Sequence, residues 1–155
     1  MKISIVVMLV FLLFSNVGSP KTPTSMEAEV LTAAAAIIKA FGNNDRDTYF
    51  TLFDPAATFI FYSTPYRLND VVAYQKEWTK WEKESGFRVR SCKSSDPRVQ
   101  LFGDTAIFTH SVSTDISTTQ GNSTLNERET IVFHRINGRW IAVHEHLSPL
   151  PEQKP

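Results

Sequence analysis

The chain of 155 residues has a single cysteine, no excess of either charge and none of the common short catalytic motifs. With Cys92 alone, an internal disulfide is excluded. Lysine and arginine together number 16, as do aspartate and glutamate, and no basic cluster is interleaved with aromatic residues, so nucleic acid is not expected as a partner. There is no G-x-S-x-G, phosphate loop or dinucleotide fingerprint, and no cofactor is expected.

Long hydrophobic runs are also scarce, and the main one stands at the N-terminus. Ile3 to Val17 follows Lys2 and ends in small and turn-forming residues, which predicts a signal peptide over residues 1–19. The run is shorter than the roughly 20 apolar residues that a membrane span needs. We therefore expect a secreted or periplasmic protein with no stable membrane insertion after cleavage, a linker over 20–25 and a domain over 26–151.

The rest of the chain changes from helical to strand-like patterns. The spacing of apolar residues predicts helices over Met26–Phe41, Asp45–Phe53 and Asn69–Ser85, with a buried strand at Ala57–Tyr62 between the last two. From Phe87 onward the pattern is that of long strands joined by short turns. Hydrophobic residues make up 42% of the chain, which suits one compact domain of the α+β class.

The strongest local signal is a hairpin in Thr124–Leu150, where two strand-like runs meet at Asn137-Gly138. With a two-residue turn, Glu129 lies opposite His146 and shares one face of the sheet with His144 and His146. With a three-residue loop and a bulge, the register moves by one, so that Arg128 joins the histidines and Glu129 faces Glu145. Both registers place the two histidines on the same side, because they are two apart on a strand.

These motifs together resemble a known superfamily. A D-P-A-A-T segment before a strand, a helix bearing tryptophans, a G-D-T-A turn and the run E-R-E-T-I-V-F-H-R-I-N-G-R-W-I-A-V-H-E-H-L-S are similar to the SnoaL-like branch of the nuclear transport factor 2-like, or cystatin-like, superfamily. The association domain of calcium/calmodulin-dependent protein kinase II is similar as well. The resemblance spans Met26 to Pro151. It implies a cone in which a strongly bent antiparallel sheet wraps around N-terminal helices, with a pocket at one end, and commonly a homodimer packed through the sheet.

Two chemistries of the superfamily do not fit these residues. The proton-transferring positions of ketosteroid isomerase-like members correspond to Ile37, Phe61 and Ile131, none of which can exchange a proton. Two arginine positions of the kinase association domain correspond to Val112 and Ile131, which leaves Arg128 as the only arginine nearby. Neither mechanism is therefore expected here.

A metal site is a further possibility. The His144-x-His146 pair with His110 or Glu129 would offer nitrogen and oxygen ligands. A short His-x-His is a weak signal by itself, and histidines hydrogen-bonded to neighbouring strands are the commoner outcome. No metal is expected.

The remaining reading is a small, mostly apolar organic ligand held in the cone pocket. The alternatives are a cofactor-free isomerase, lyase or hydrolase that uses a histidine and a carboxylate, and a non-catalytic oligomerisation module; whether the chain is an enzyme stays open. The candidate pocket residues are Tyr74, Trp78, His110, Arg128, Glu129, His144, Glu145 and His146. Phe59, Phe61 and Phe108 are expected to add to the aromatic walls.

Overall fold

The computed structural model describes residues 24–150, so the predicted signal peptide and most of the predicted linker lie outside the described residues. Three helices and five strands follow one another in this part of the chain. Their bounds are α1 Ser25–Gly42, α2 Arg46–Thr51, β1 Phe53–Phe61, α3 Val71–Ser85, β2 Arg88–Phe102, β3 Thr105–Thr118, β4 Gly121–Ile136 and β5 Arg139–Pro149. None of these helices is long and apolar enough to cross a membrane.

Each helix begins at a side chain that accepts a backbone hydrogen bond. Thr24 and Glu27 form a reciprocal capping box at α1. Asp45 and Asp70 accept the backbone N–H three residues further on, at 3.1 and 2.6 Å, and thereby cap α2 and α3. These caps fix where the aromatic faces of the helices start.

The five strands form one sheet in the order β1-β5-β4-β3-β2. The α+β fold class is confirmed, but the sheet is mixed rather than wholly antiparallel, because β1 pairs with β5 in parallel. β1 also starts at Phe53, earlier than predicted, and its pairing is irregular between Phe53 and Thr58. Pro55 is tolerated there because β1 is an edge strand and a missing N–H costs little at an edge.

The two faces of the sheet differ in character. Buried side chains alternate along β3 and β4 and pack against the helices on what we call the inner face. This face and the helices share one aromatic core, in which Tyr49, Phe59, Tyr74 and Trp78 are nearly inaccessible. The opposite, outer face carries polar and half-buried apolar residues.

A bulge in β5 decides which side chains of the hairpin reach the inner face. Asn137-Gly138 form a two-residue turn with Ile136 opposite Arg139, as predicted for the first register. The pairing then shifts by one, because Ala142 lies opposite Phe133 whereas His144 lies opposite Val132, so that Val143 is the extra residue. Beyond this bulge the residues share faces of the sheet as the second register predicts, with Arg128, His144 and His146 on one face and Glu129 and Glu145 on the other.

Candidate functional site

Three glutamates lie on the inner face of the hairpin, where apolar residues would be expected. Glu127 and Glu129 on β4 are 7% and 9% exposed, and Glu145 on β5 is 2% exposed. The alternation of β4 turns the first two inward. The Val143 bulge does the same for Glu145. Burial of a carboxyl group without hydrogen-bond partners costs roughly several kcal/mol of folding free energy. Each of these glutamates therefore needs partners.

Hydrogen bonds join two of these glutamates to a tyrosine, a histidine and a serine in what we call the polar chain. The Tyr49 hydroxyl donates to Glu145 Oε2 at 2.7 Å. Glu145 in turn is hydrogen-bonded to Glu129, and Glu129 Oε2 contacts His110 Nε2. His110 Nδ1 lies 2.7 Å from Ser94 Oγ. The polar chain therefore runs from α2 across β5, β4 and β3 to β2.

Burial sets the charges along the polar chain. It raises the pKa of Glu145 well above its ordinary value, and the neighbouring Glu129 charge adds to this. Burial also raises the pKa of Glu129 to about 7, while it lowers the pKa of His110 to about 4. At neutral pH Glu145 is protonated and donates to Glu129, and neutral His110 donates from Nε2 to Glu129 and accepts from Ser94.

An apolar cavity lies next to the polar chain. Its volume is about 280 Å³. Aromatic rings dominate its lining, and Glu127 is the one charged residue in it. The lining residues are Phe41, Phe61, Tyr62, Ser63, Tyr74, Trp81, Ser85, Phe87, Thr114, Ile116, Thr118, Leu125, Glu127 and Leu147.

A smaller cavity of about 20 Å³ continues from it toward the polar chain. Tyr49, Glu129 and Glu145 line this smaller cavity. The two cavities share Phe41, Thr114, Glu127 and Leu147, so Glu127 stands at their junction. A molecule in the larger cavity would therefore have its inner end directed at the carboxyl groups.

Tyr62 and Glu127 form the polar part of the larger cavity. Tyr62 is 50% exposed and lies at the rim. Burial, followed by the nearby Glu127 charge, raises the pKa of the Tyr62 hydroxyl to about 12, and this hydroxyl hydrogen-bonds Glu127. Burial raises the pKa of Glu127 above its ordinary value, and the Tyr62 hydrogen bond opposes this.

The candidates from the sequence separate into an inner and an outer set. Tyr74 lines the larger cavity, Glu129 and Glu145 line the smaller one, and His110 belongs to the polar chain. Trp78 is fully buried in the core, lines neither cavity and donates from Nε1 to Glu82 at 3.1 Å.

The outer set consists of Arg128, His144 and His146. They share one face, as the second register predicts, but this is the outer face and they line neither cavity. The physical reason is the Val143 bulge, because a shift of one residue moves every later side chain of β5 to the other side of the sheet. His144 Nδ1 instead lies 2.8 Å from Thr58 Oγ1 of β1.

The sequence interpretation missed Tyr49, Glu127, Trp81 and Phe87. A signal for Glu127 was present, because it stands four residues before Ile131 and alternates in phase with the inward residues of β4. Tyr49 carried no such signal, since a tyrosine on an apolar helix face is most often a core residue. Within residues 24–150, no group of three or more histidine, cysteine, aspartate or glutamate residues is arranged to hold a metal ion.

Comparison with known proteins identifies one matching family model and many solved structures of similar fold. A family model described as "SnoaL-like domain" matches residues 30–152. No curated protein sequence matches the chain significantly. Many solved structures share its fold.

Three of the solved structures with a similar fold come from proteins of different kinds. A hub domain of calcium/calmodulin-dependent protein kinase II from S. rosetta is 25% identical, with a TM-score of 0.66 over 83% of this chain and 100% of that one. A nuclear transport factor 2-like protein from Salmonella enterica serovar Typhimurium is 15% identical, with a TM-score of 0.68 over 82% and 92%. A cystatin-like fold protein of unknown function from Nostoc punctiforme is 15% identical, with a TM-score of 0.61 over 83% and 95%.

Proposed function

The chain belongs to the SnoaL-like domain family, and on the basis of its cavity we propose that it binds a small, mostly apolar organic molecule. The observation that carries the proposal is the aromatic lining, to which Phe61, Tyr74, Trp81 and Phe87 contribute. Ligand sites are typically apolar clefts with a few convergent polar groups, and this cavity has Glu127 and Tyr62 in that role.

The size of the cavity limits the ligand. At about 280 Å³ it lies near the lower end of ligand pockets, which run from roughly 300 to 1,000 Å³. A molecule of one or two rings fits, whereas a steroid-sized or longer polyketide molecule does not fit without movement of the walls.

A blocking variant tests the proposal. Leu125→Trp puts an indole into the larger cavity, whereas Leu101→Trp makes the same change at a residue that packs against the core and lines neither cavity. A panel of neutral one-ring and two-ring aromatic compounds is expected to raise the melting temperature of the parent protein and of Leu101→Trp, but not of Leu125→Trp. Equal shifts for both variants, or none for the parent, would refute binding in this cavity.

The polar chain favours a second candidate function, acid–base catalysis on the bound molecule. Because its pKa is raised to about 7, Glu129 can gain or lose a proton near neutral pH, and Glu145 holds a proton beside it. The pair would suit a cofactor-free isomerase, lyase or hydrolase. If it is catalytic, Glu129→Gln should lower turnover of small carbonyl, epoxide or polyketide-like compounds by about 100-fold or more, while binding persists. Unchanged turnover would exclude this role.

We also propose that the protein is exported and acts as a homodimer. Export is supported by the apolar run Ile3 to Val17. Protein recovered from outside the cytoplasm should begin between Ser19 and Met26 on N-terminal sequencing, and an intact Met1 on cytoplasmic protein would contradict this.

Assembly is supported by the hub domain among the similar structures. A non-catalytic oligomerisation module remains the function if no compound binds.

A further inference from the structure

The linings of the two cavities contain carboxyl groups and no basic side chain. The carboxyl groups belong to Glu127, Glu129 and Glu145, and no lysine, arginine or histidine among residues 24–150 lines either cavity. This is unusual for a protein whose total charge is balanced. The electrostatic character of the site therefore selects among apolar ligands by their charge.

The three carboxyl groups are not equivalent. Glu129 and Glu145 satisfy each other by sharing a proton, and Tyr49 and His110 complete their hydrogen bonds. Glu127 has the Tyr62 hydroxyl as a partner, and it forms no ion pair with a described residue. A carboxylate that is 7% exposed without a counter-ion is poorly stabilised. Of the three, Glu127 gains most from a cation in the cavity.

The walls beside Glu127 suit a cation with an apolar body. Trp81 and Phe87 lie with their ring centroids 5.7 Å apart, Phe61 lies 6.3 Å from Trp81, and all three line the larger cavity. Aromatic faces attract cations as well as apolar groups. A carboxylate ligand would instead meet a carboxylate at the junction with no positive group to offset the repulsion.

We propose that the ligand is a small apolar amine in its protonated form, with its ammonium group bound by Glu127 at the junction of the two cavities and its ring system among Phe61, Trp81 and Phe87. This inference rests on the proposed binding function and adds the chemical class of the ligand. The ammonium group supplies the counter-ion that Glu127 lacks. A neutral alcohol of the same shape retains only the apolar part of the interaction.

A matched series of compounds tests the ligand class. The probes are 1-naphthylmethylamine, 1-naphthylmethanol and 1-naphthoic acid, which share a two-ring body and differ in charge, measured by isothermal titration calorimetry at neutral pH on the full folded domain. The amine is expected to bind about tenfold or more tighter than the alcohol, since a hydrogen bond to a charged group contributes more than a neutral one. The acid is expected to bind more weakly than the alcohol.

Variants assign the preference to Glu127. Glu127→Gln keeps the shape and should remove the amine preference while it leaves the affinity for the alcohol nearly unchanged. Glu84→Gln removes the same charge from an exposed position on α3 and should leave the preference intact.

The possible results separate the two proposals. Equal binding of amine and alcohol, or tighter binding of the acid, overturns the inference about the amine but leaves the binding function standing. An amine preference that persists in Glu127→Gln overturns the role of Glu127. If no member of the series binds, both the ligand class and the binding function are overturned.

Discussion

Glu145 is an acidic residue whose carboxyl group the fold keeps protonated. It is 2% exposed, accepts a hydrogen bond from Tyr49 and donates one to Glu129. Both bonds are compatible with a protonated carboxyl, whereas ionised Glu145 beside ionised Glu129 would place two like charges in an apolar interior. The proton is therefore part of the structure at neutral pH.

Replacement of Glu145 by glutamine should remove this dependence on a proton. The amide oxygen can still accept from Tyr49, and the amide nitrogen can still donate to Glu129, so Glu145→Gln preserves the hydrogen bonds without a titrating group. The pKa values of Glu129 and Glu145 are higher in the folded protein than in the unfolded chain. Proton binding by these two groups therefore stabilises the folded protein. This contribution is complete below the unfolded pKa and is lost as pH rises through the folded pKa values. The free energy of unfolding of the parent should fall by up to about 1.4 kcal/mol per pH unit for each proton released.

Urea unfolding between about pH 6.5 and about pH 8.5 measures this slope. His110 does not interfere, since its lowered pKa acts in the opposite sense but only below its ordinary value of 6.5. Glu145→Gln should show a flatter slope than the parent, and Glu84→Gln should show the parental slope. A parental slope in Glu145→Gln would contradict the shared proton.

The two histidines His110 and His146 provide a second residue-level prediction. His110 is 4% exposed and bonded to Ser94 and Glu129, whereas His146 is exposed on the outer face. His110→Ala leaves the Glu129 carboxylate short of a donor and should lower the free energy of unfolding by about 1–3 kcal/mol. His146→Ala should change it by less than about 0.5 kcal/mol. Denaturant titration of both variants checks the difference, and a reversed order would contradict the assignment of faces.

Part of this site could be predicted from the sequence. His110, Glu129, Glu145 and Tyr74 could be proposed because polar or aromatic residues stood in strand and helix positions that face inward. Tyr49 could not, because its hydroxyl partner is 96 residues away along the chain. Such a contact follows from the packing of α2 on β5, which no local pattern encodes.

At the scale of the element, the β4–β5 hairpin has the greatest consequence. The turn at Asn137-Gly138 was predictable from its dipeptide, since both residues adopt positive φ there, at 50° and 78°. The bulge was not, because Val143 is a common strand residue and has nothing in its sequence context that distinguishes it from its neighbours. The assignment of His144 and His146 to the pocket failed for this reason.

Deletion of Val143 should demonstrate what the bulge does. Without the extra residue, His144 follows Ala142 directly, and the pairs Phe133–Ala142 and Val132–His144 become neighbours in a regular ladder. Glu145 and Leu147 then stay on the inner face, so the polar chain and the larger cavity keep them. We expect the deletion variant to retain a cooperative thermal transition, as followed by circular dichroism, and Val143→Ala to retain it as well. Loss of the transition on deletion alone would contradict the assignment of Val143 as the extra residue.

The outer face becomes relevant at the scale of the whole molecule. Ile107, Val132, Ile141 and Val143 are half-buried on a sheet surface that no helix of the described chain covers. An apolar sheet face without a cover favours association through it. We therefore expect a homodimer, with light scattering at micromolar concentration returning twice the monomer mass. Val132→Asp should shift the mass to that of the monomer, whereas Thr124→Asp, in the exposed first part of β4, should not.

A monomer mass for the parent protein would contradict this assembly but would leave the cavity unaffected, because the two features lie on opposite faces of the sheet. The separation also explains why family membership alone did not identify a reaction. The sheet has the cavity on one face and, on the other, the apolar surface for which we propose assembly, and each can change without the other.

The most direct test of the account is a methyl NMR titration of isotope-labelled protein with 1-naphthylmethylamine. Ile116, Leu125 and Leu147 line the larger cavity, whereas Ile107, Val132 and Ile141 lie on the outer face and report on that surface. We predict that the ligand shifts the methyl signals of the first three residues and gives them intermolecular contacts, while the outer three stay unchanged. Contacts confined to the outer face, or no shift at saturating ligand, would contradict the claim that this cavity is the functional site.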